Sequence, residues 1–366
     1  MTGCTSELHK KFRELDHVLA QRDRYEIKLE TEADSLHTLL SKAENDSVKW
    51  DCSEKLFKLY KYWQADSALA FLNLMDTLSK DDSTKKLLIT LERTTVEVLL
   101  RQYNEAETML ANLDTTSMSL SELAEYYKAD LYLDGIMAMD DMIPAKDRKR
   151  IVERRHIKRL AYINNPEIDA FELVRRNGMQ LYESGRSGEA TIILKELVDN
   201  SKNLYEKSEA AYSLAFAHSY TGKREQRKYW LAQSCIYSME IPIRASMALF
   251  ELSKMLFEDN ELGTASRYCQ VALEDALASK YNSRITNSAN SMLDIVKAVS
   301  HKTRQNRTAY ICIIIILGML CTTTIALLVL SFRQHHTIKR KNLLLENANE
   351  AKNEYIARHI TMSAYY

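Results

Sequence analysis

The sequence predicts an all-α protein: a stack of short helix pairs, then one helix able to cross a membrane, then a short helical tail. Three observations predict this. Gly (8) and Pro (3) are scarce among 366 residues, so a multi-stranded sheet would lack turn-formers. Before residue 300 the apolar positions recur at helical spacing almost throughout. Residues 308–332 form a run of 25 without a charge, bounded by Arg307 and Arg333.

Residues 1–48 read as a charged N-terminal region. A helix over 7–45 carries Leu15, Leu19, Ile27, Leu36 and Leu40 in a loose stripe. No signal peptide is visible, because Met1 to Cys4 runs straight into the charged segment beginning at Glu7. Thr2-Gly3-Cys4 does have the form of the end of a bacterial export signal, with Cys4 where a lipid-modified cysteine would stand. A start site placed too late would account for it.

Residues 49–300 show weak self-similarity with a period near 38. The anchors pair a small alanine with a large apolar residue four positions on: Ala68 and Leu72, Ala106 and Leu110, Ala190 and Leu194, Ala265 and Cys269. A fifth, Arg227 and Leu231, fits only in its second member. The steps between anchors are 38, 84, 37 and 38, so the long step has room for one degenerate repeat. Turns at Gly185, Gly222 and Asn260 separate the two helices of a unit, since Gly and Asn accept the backbone reversal. Cys52, Cys235 and Cys269 are scattered and no Cys-x-x-Cys occurs, which leaves a zinc site or disulfide framework unsupported. Cys235 and Cys269 could meet on adjacent helices; buried free thiols are the other reading.

The uncharged run meets the length a bilayer core of about 30 Å demands of a helix, and it is apolar on every side. Residues 333–366 read as a helix that is basic at first, through Arg333, Lys339, Arg340 and Lys341, and then carries Leu343, Leu344, Leu345, Ala348, Ala351, Tyr355 and Ile356. A short coiled coil continuing the membrane helix, with self-association through 333–360, is the expectation. The chain stops at Tyr366 in mid-pattern, with no helix stop signal.

No sequence pattern of phosphate-binding loops, dinucleotide fingerprints, metalloprotease helices or nucleophile elbows is present, so neither an enzyme nor a cofactor is expected. Zero net charge gives no hint of nucleic acid. One basic cluster stands out: Lys146, Arg148, Lys149, Arg150, Arg154, Arg155, Lys158 and Arg159. It suits an anionic lipid surface, a nucleic acid or an acidic peptide, or else a solvated helix face compensated by acidic neighbours in the stack.

Helix pairs of this length, with a Gly or Asn turn and then Ala, resemble tetratricopeptide repeats. The resemblance is best over 170–280, moderate over 50–115 and poor over 116–169. It implies a curved stack whose first helices face a concave groove. Mapped onto this chain, the inward positions are Arg175, Met179 and Tyr182; Tyr212, Phe216 and Tyr220; Phe250, Lys254 and Phe257. Aromatic rings with a few cations suit a protein or peptide ligand. The rings equally suit packing between repeats. The Lys/Asn set with which chaperone-binding members clamp a carboxylate is absent.

Three further runs, LDHVLAQRDRY at 15–25, YWQADSALAFL at 62–72 and NLLLENANEAKNEYIA at 342–357, are together similar to a Bacteroidetes-type family of repeat-containing membrane proteins, often described as transcriptional regulators. That resemblance implies exported repeats, one span, a cytoplasmic coiled segment and a C-terminal DNA-binding domain that this chain does not carry. The expectation is therefore a sensor in a bacterial inner membrane, with periplasmic repeats and a cytoplasmic tail. The alternative is a cytoplasmic adaptor tethered by the same span. Flanking charge does not choose: Lys297, Lys302, Arg304 and Arg307 precede the run, and Arg333, Lys339, Arg340, Lys341 and Lys352 follow it.

Overall fold

A computed structural model describes residues 2–244 and 246–363, with the side chains of 2–6, 355 and 357–363 excepted. The Cys4 side chain and the Ala364 to Tyr366 end therefore lie outside the described residues. So do several side chains of the expected self-association segment. Among the described residues there are fifteen helices and no strand. The chain divides into two units, Met1–Ala298 and Val299–Tyr366.

The first unit opens with α1 (Thr2–Ala20) and α2 (Arg22–Lys42). A single helix over 7–45 is thus replaced by two, broken at Gln21, whose backbone leaves helical geometry. The break lets the halves take different partners: α1 packs on α12, and α2 on α3. Six helix pairs follow: α3 (Asp46–Tyr60) with α4 (Ala65–Ser79), α5 (Ser83–Leu99) with α6 (Tyr103–Ala111), and α7 (Leu120–Ala138) with α8 (Ala145–Ile163). Then come α9 (Ala170–Glu183) with α10 (Ser187–Asn200), α11 (Leu204–Tyr220) with α12 (Arg224–Glu240), and α13 (Ala248–Glu258) with α14 (Leu262–Ser279). The pair α7 and α8 fills the long step between anchors.

Each anchor sits on the second helix of its pair, where the stack is tightest. Ala68, Ala106, Ala190 and Ala265 are fully buried, as are Leu72, Leu194, Leu231 and Cys269. Burying a leucine in this way contributes roughly 1.5–3 kcal/mol. Gly178 marks the crossing of α9 and α10, since a β-carbon there would stand 2.6 Å from Leu194. Side-chain caps set several helix starts: Asn45 for α3, Asp82 for α5, Ser119 with Glu122 as a capping box for α7, Asp169 for α9 and Asn203 for α11. Gly185, Gly222 and Asn260 all take positive φ in their turns, as their residue types suggested. Cys235 and Cys269 are buried free thiols.

The stack closes on itself, a contact that no repeat pattern encodes. Tyr281 is fully buried beside Ala65 and Leu99, and its hydroxyl donates to the Lys61 carbonyl at 2.5 Å. Ser283 donates to the Leu99 carbonyl at 2.9 Å, and the Arg244 amide donates to the Tyr62 carbonyl at 3.0 Å. Tyr281→Phe keeps the packing and orphans the Lys61 carbonyl. It is expected to cost roughly 1–3 kcal/mol, read as a lower denaturation midpoint of the repeats with an unchanged slope.

The last helix, α15 (Asn282–Ser363), begins in the first unit and supplies the second. The 308–332 run and the tail that follows it lie on one continuous helix, in which Gly318 is the one helix-breaking residue type. Residues 301–354 are exposed throughout. By length and composition the helix is long and apolar enough to cross a membrane.

Candidate functional site: the interior cavity of the repeats

The first helices α5, α7, α9 and α11 present one face each to a cavity of about 250 Å³ within the first unit. Arg175, Met179, Tyr182, Tyr212 and Phe216 all line it, so five of the nine mapped positions are brought together. The other four stand apart. Tyr220 is 55% exposed at the end of α11, where its ring stacks on Tyr182 at 5.0 Å. Phe250 is buried within the stack, and the Lys254 ammonium lies over its ring at 5.4 Å. Phe257 is half-buried and likewise absent from the lining. Ile243, Ser246 and Met247, which precede α13, line the cavity, and no residue of α13 does.

Closure brings in side chains that the repeat pattern did not point to. Lys61 and Tyr62 arrive from the end of α3, Tyr132 from α7, Tyr205 and Glu209 from α11, and Arg284 from α15. Tyr205 was within reach of periodicity, because 205, 209, 212 and 216 fall on one face of α11. Lys61 and Arg284 carry no local signal; long-range packing alone places them. Tyr62 and Tyr205 stack at 6.0 Å across the closure.

The charges inside are held by pairing. Arg175 bonds Glu172 at 2.6 Å and Glu209 at 3.0 Å, and Arg176 bonds the same Glu172 at 2.9 Å. Burial alone would push the Glu172 carboxyl up, but the two guanidiniums outweigh it and hold the group down at about 2. Lys61 is paired with Glu92. Burial would lower its ammonium; Glu92 raises it past its ordinary value. Burial also raises the phenols of Tyr62, Tyr132 and Tyr212. The lining is thus aromatic, with several charges held in pairs. It can grip a ligand by ring faces and oriented donors.

The basic cluster on α8 is largely compensated. Arg148 bonds Asp141, Arg150 pairs with Asp147, Arg154 with Asp134 and Glu107, and Lys158 with Asp130 and Asp134. Arg155 and Arg159 share Glu183. Lys146, Lys149 and Arg150 remain exposed. The pairing matches the reading of a helix face balanced by the stack.

A family model described as the SusR N-terminal TPR domain matches residues 19–290. A search of the curated proteins returns no match. Among solved structures the chain is similar to "Crystal Structure of Rap Protein Complexed with Competence and Sporulation Factor", at 11% identity and a TM-score of 0.42, over 80% of this chain and 87% of that one.

Proposed function

This chain belongs to the family of the SusR N-terminal TPR domain, and from that premise we propose that it is a non-enzymatic membrane sensor that takes a short peptide into the cavity of its repeats. The cavity supports this reading: aromatic rings and paired charges line open space of about 250 Å³, a setting that suits a ligand. Tetratricopeptide repeats are protein-interaction scaffolds, and the family points to a regulatory role. The exposed apolar run at 308–332 would cross a bacterial inner membrane. With the repeats in the periplasm and the tail in the cytoplasm, α15 would pass ligand occupancy to self-association through 333–360.

Topology is the test. Single cysteines at Ser117 and Asn347, both exposed, are introduced into a cysteine-free background expressed from the native locus. Intact cells are treated with a membrane-impermeant thiol reagent. Labelling at 117 alone is expected. Labelling at 347 alone would overturn the sensor and favour a cytoplasmic adaptor tethered by the same helix.

A further inference from the structure

The cations around the cavity are matched to carboxylates, with one exception. Lys61, Lys128, Arg155, Arg175 and Arg176 each have an acidic partner. Arg284 has none: it is 8% exposed, no described carboxylate pairs with it, and its Nε lacks a hydrogen-bond partner. The groups that its charge acts on are phenols: Tyr132, Tyr103 and Tyr212. A guanidinium cannot shed its proton to relieve burial, and a buried charge without a counter-charge is strongly unfavourable. Such a group in a cavity wall is a receptor for an anion.

We propose that Arg284 anchors the terminal carboxylate of the cavity's ligand, a short peptide. This rests on the reading of the cavity as a peptide site. The guanidinium fork offers two parallel N–H donors that fit a carboxylate. Tyr132 and Tyr212 line the same cavity, and aromatic rings suit the side chain of the adjoining residue. A space of about 250 Å³ suits the end of a chain better than a segment passing through. Arg284 also lies on α15, the helix that includes the apolar run, so a carboxylate bound there acts directly on the element that would carry the signal.

The full chain in lipid nanodiscs tests this by thermal unfolding with three probes: a tripeptide mixture with free carboxyl ends, the same mixture with C-terminal amides, and inorganic phosphate. The free-acid mixture is expected to raise the unfolding midpoint of the wild-type repeats and the amides to leave it unmoved. Arg284→Gln should weaken the free-acid effect at least about tenfold, with Arg284→Lys keeping part of it. If Arg284→Gln does not fold, the acid-against-amide contrast in the wild type decides. Equal response to acid and amide overturns the carboxylate anchor and leaves the peptide site standing. Response to neither overturns both. Phosphate reproducing the whole free-acid effect overturns the peptide assignment and gives the pocket to a free anion.

Discussion

Glu183→Ala is expected to destabilise the repeats by roughly 3–5 kcal/mol, because it leaves two guanidiniums without a counter-charge, one of them fully buried. Arg159 has no exposed surface, and its nitrogens donate to Glu183 at 2.5 and 3.1 Å. Arg155 reaches the same carboxylate at 3.1 Å. Burial would raise the Glu183 carboxyl, but its hydrogen bond and attraction to Arg159, then Arg155, bring it below the ordinary value. Chemical denaturation of the single variants Glu183→Ala and Arg159→Met and of the double variant checks the account. The double variant should lose clearly less than the two single losses added together, because no fully buried charge is then left alone. Additive losses would mean that the three groups are solvated independently, and the α8 cluster would again be free to bind an anionic surface.

That cluster shows where the sequence was legible and where it was not. The repeat anchors could be read because each depends on neighbours three or four residues away, and burial of Ala68, Ala190 and Ala265 follows from local spacing. The inward faces of α9 and α11 were legible for the same reason, through Arg175, Met179, Tyr212 and Phe216. Phe250 and Lys254 lie outside the lining, where Ile243, Ser246 and Met247 stand instead. Lys61, Tyr281 and Arg284 were invisible because the first and last repeats meet only after the whole stack has curved. The partners of Arg155 and Arg159 lie 28 and 24 residues away on the next pair, so charge alone could not choose between a free patch and a compensated face.

A second large effect is expected where α2 meets α14, and it depends on pH. Five charged groups gather there. Arg22 bonds Glu274 at 2.8 Å and stands 3.8 Å from Asp275; Arg244 bonds Glu26 at 2.7 Å. Three carboxyls share two guanidiniums, and Asp275 is the one with no close hydrogen bond. Burial pushes it up to about 7 against an ordinary 3.8, and Arg22 and Arg244 do not offset that. A carboxyl raised on folding binds its proton more tightly in the native state, so its contribution is fully present below pH 3.8 and is lost as the pH climbs to about 7. Asp275→Asn removes that loss. The variant should match the wild type near pH 4 and exceed it at pH 8 by roughly 2–4 kcal/mol. The difference between the two denaturation curves cancels carboxylates such as Glu172, which are held low and act in the opposite sense at more acid pH. A variant weaker than the wild type at pH 8 would mean that Asp275 is ionised and holds α2 through Arg22. Deprotonation would then fasten the α2–α14 contact rather than loosen it.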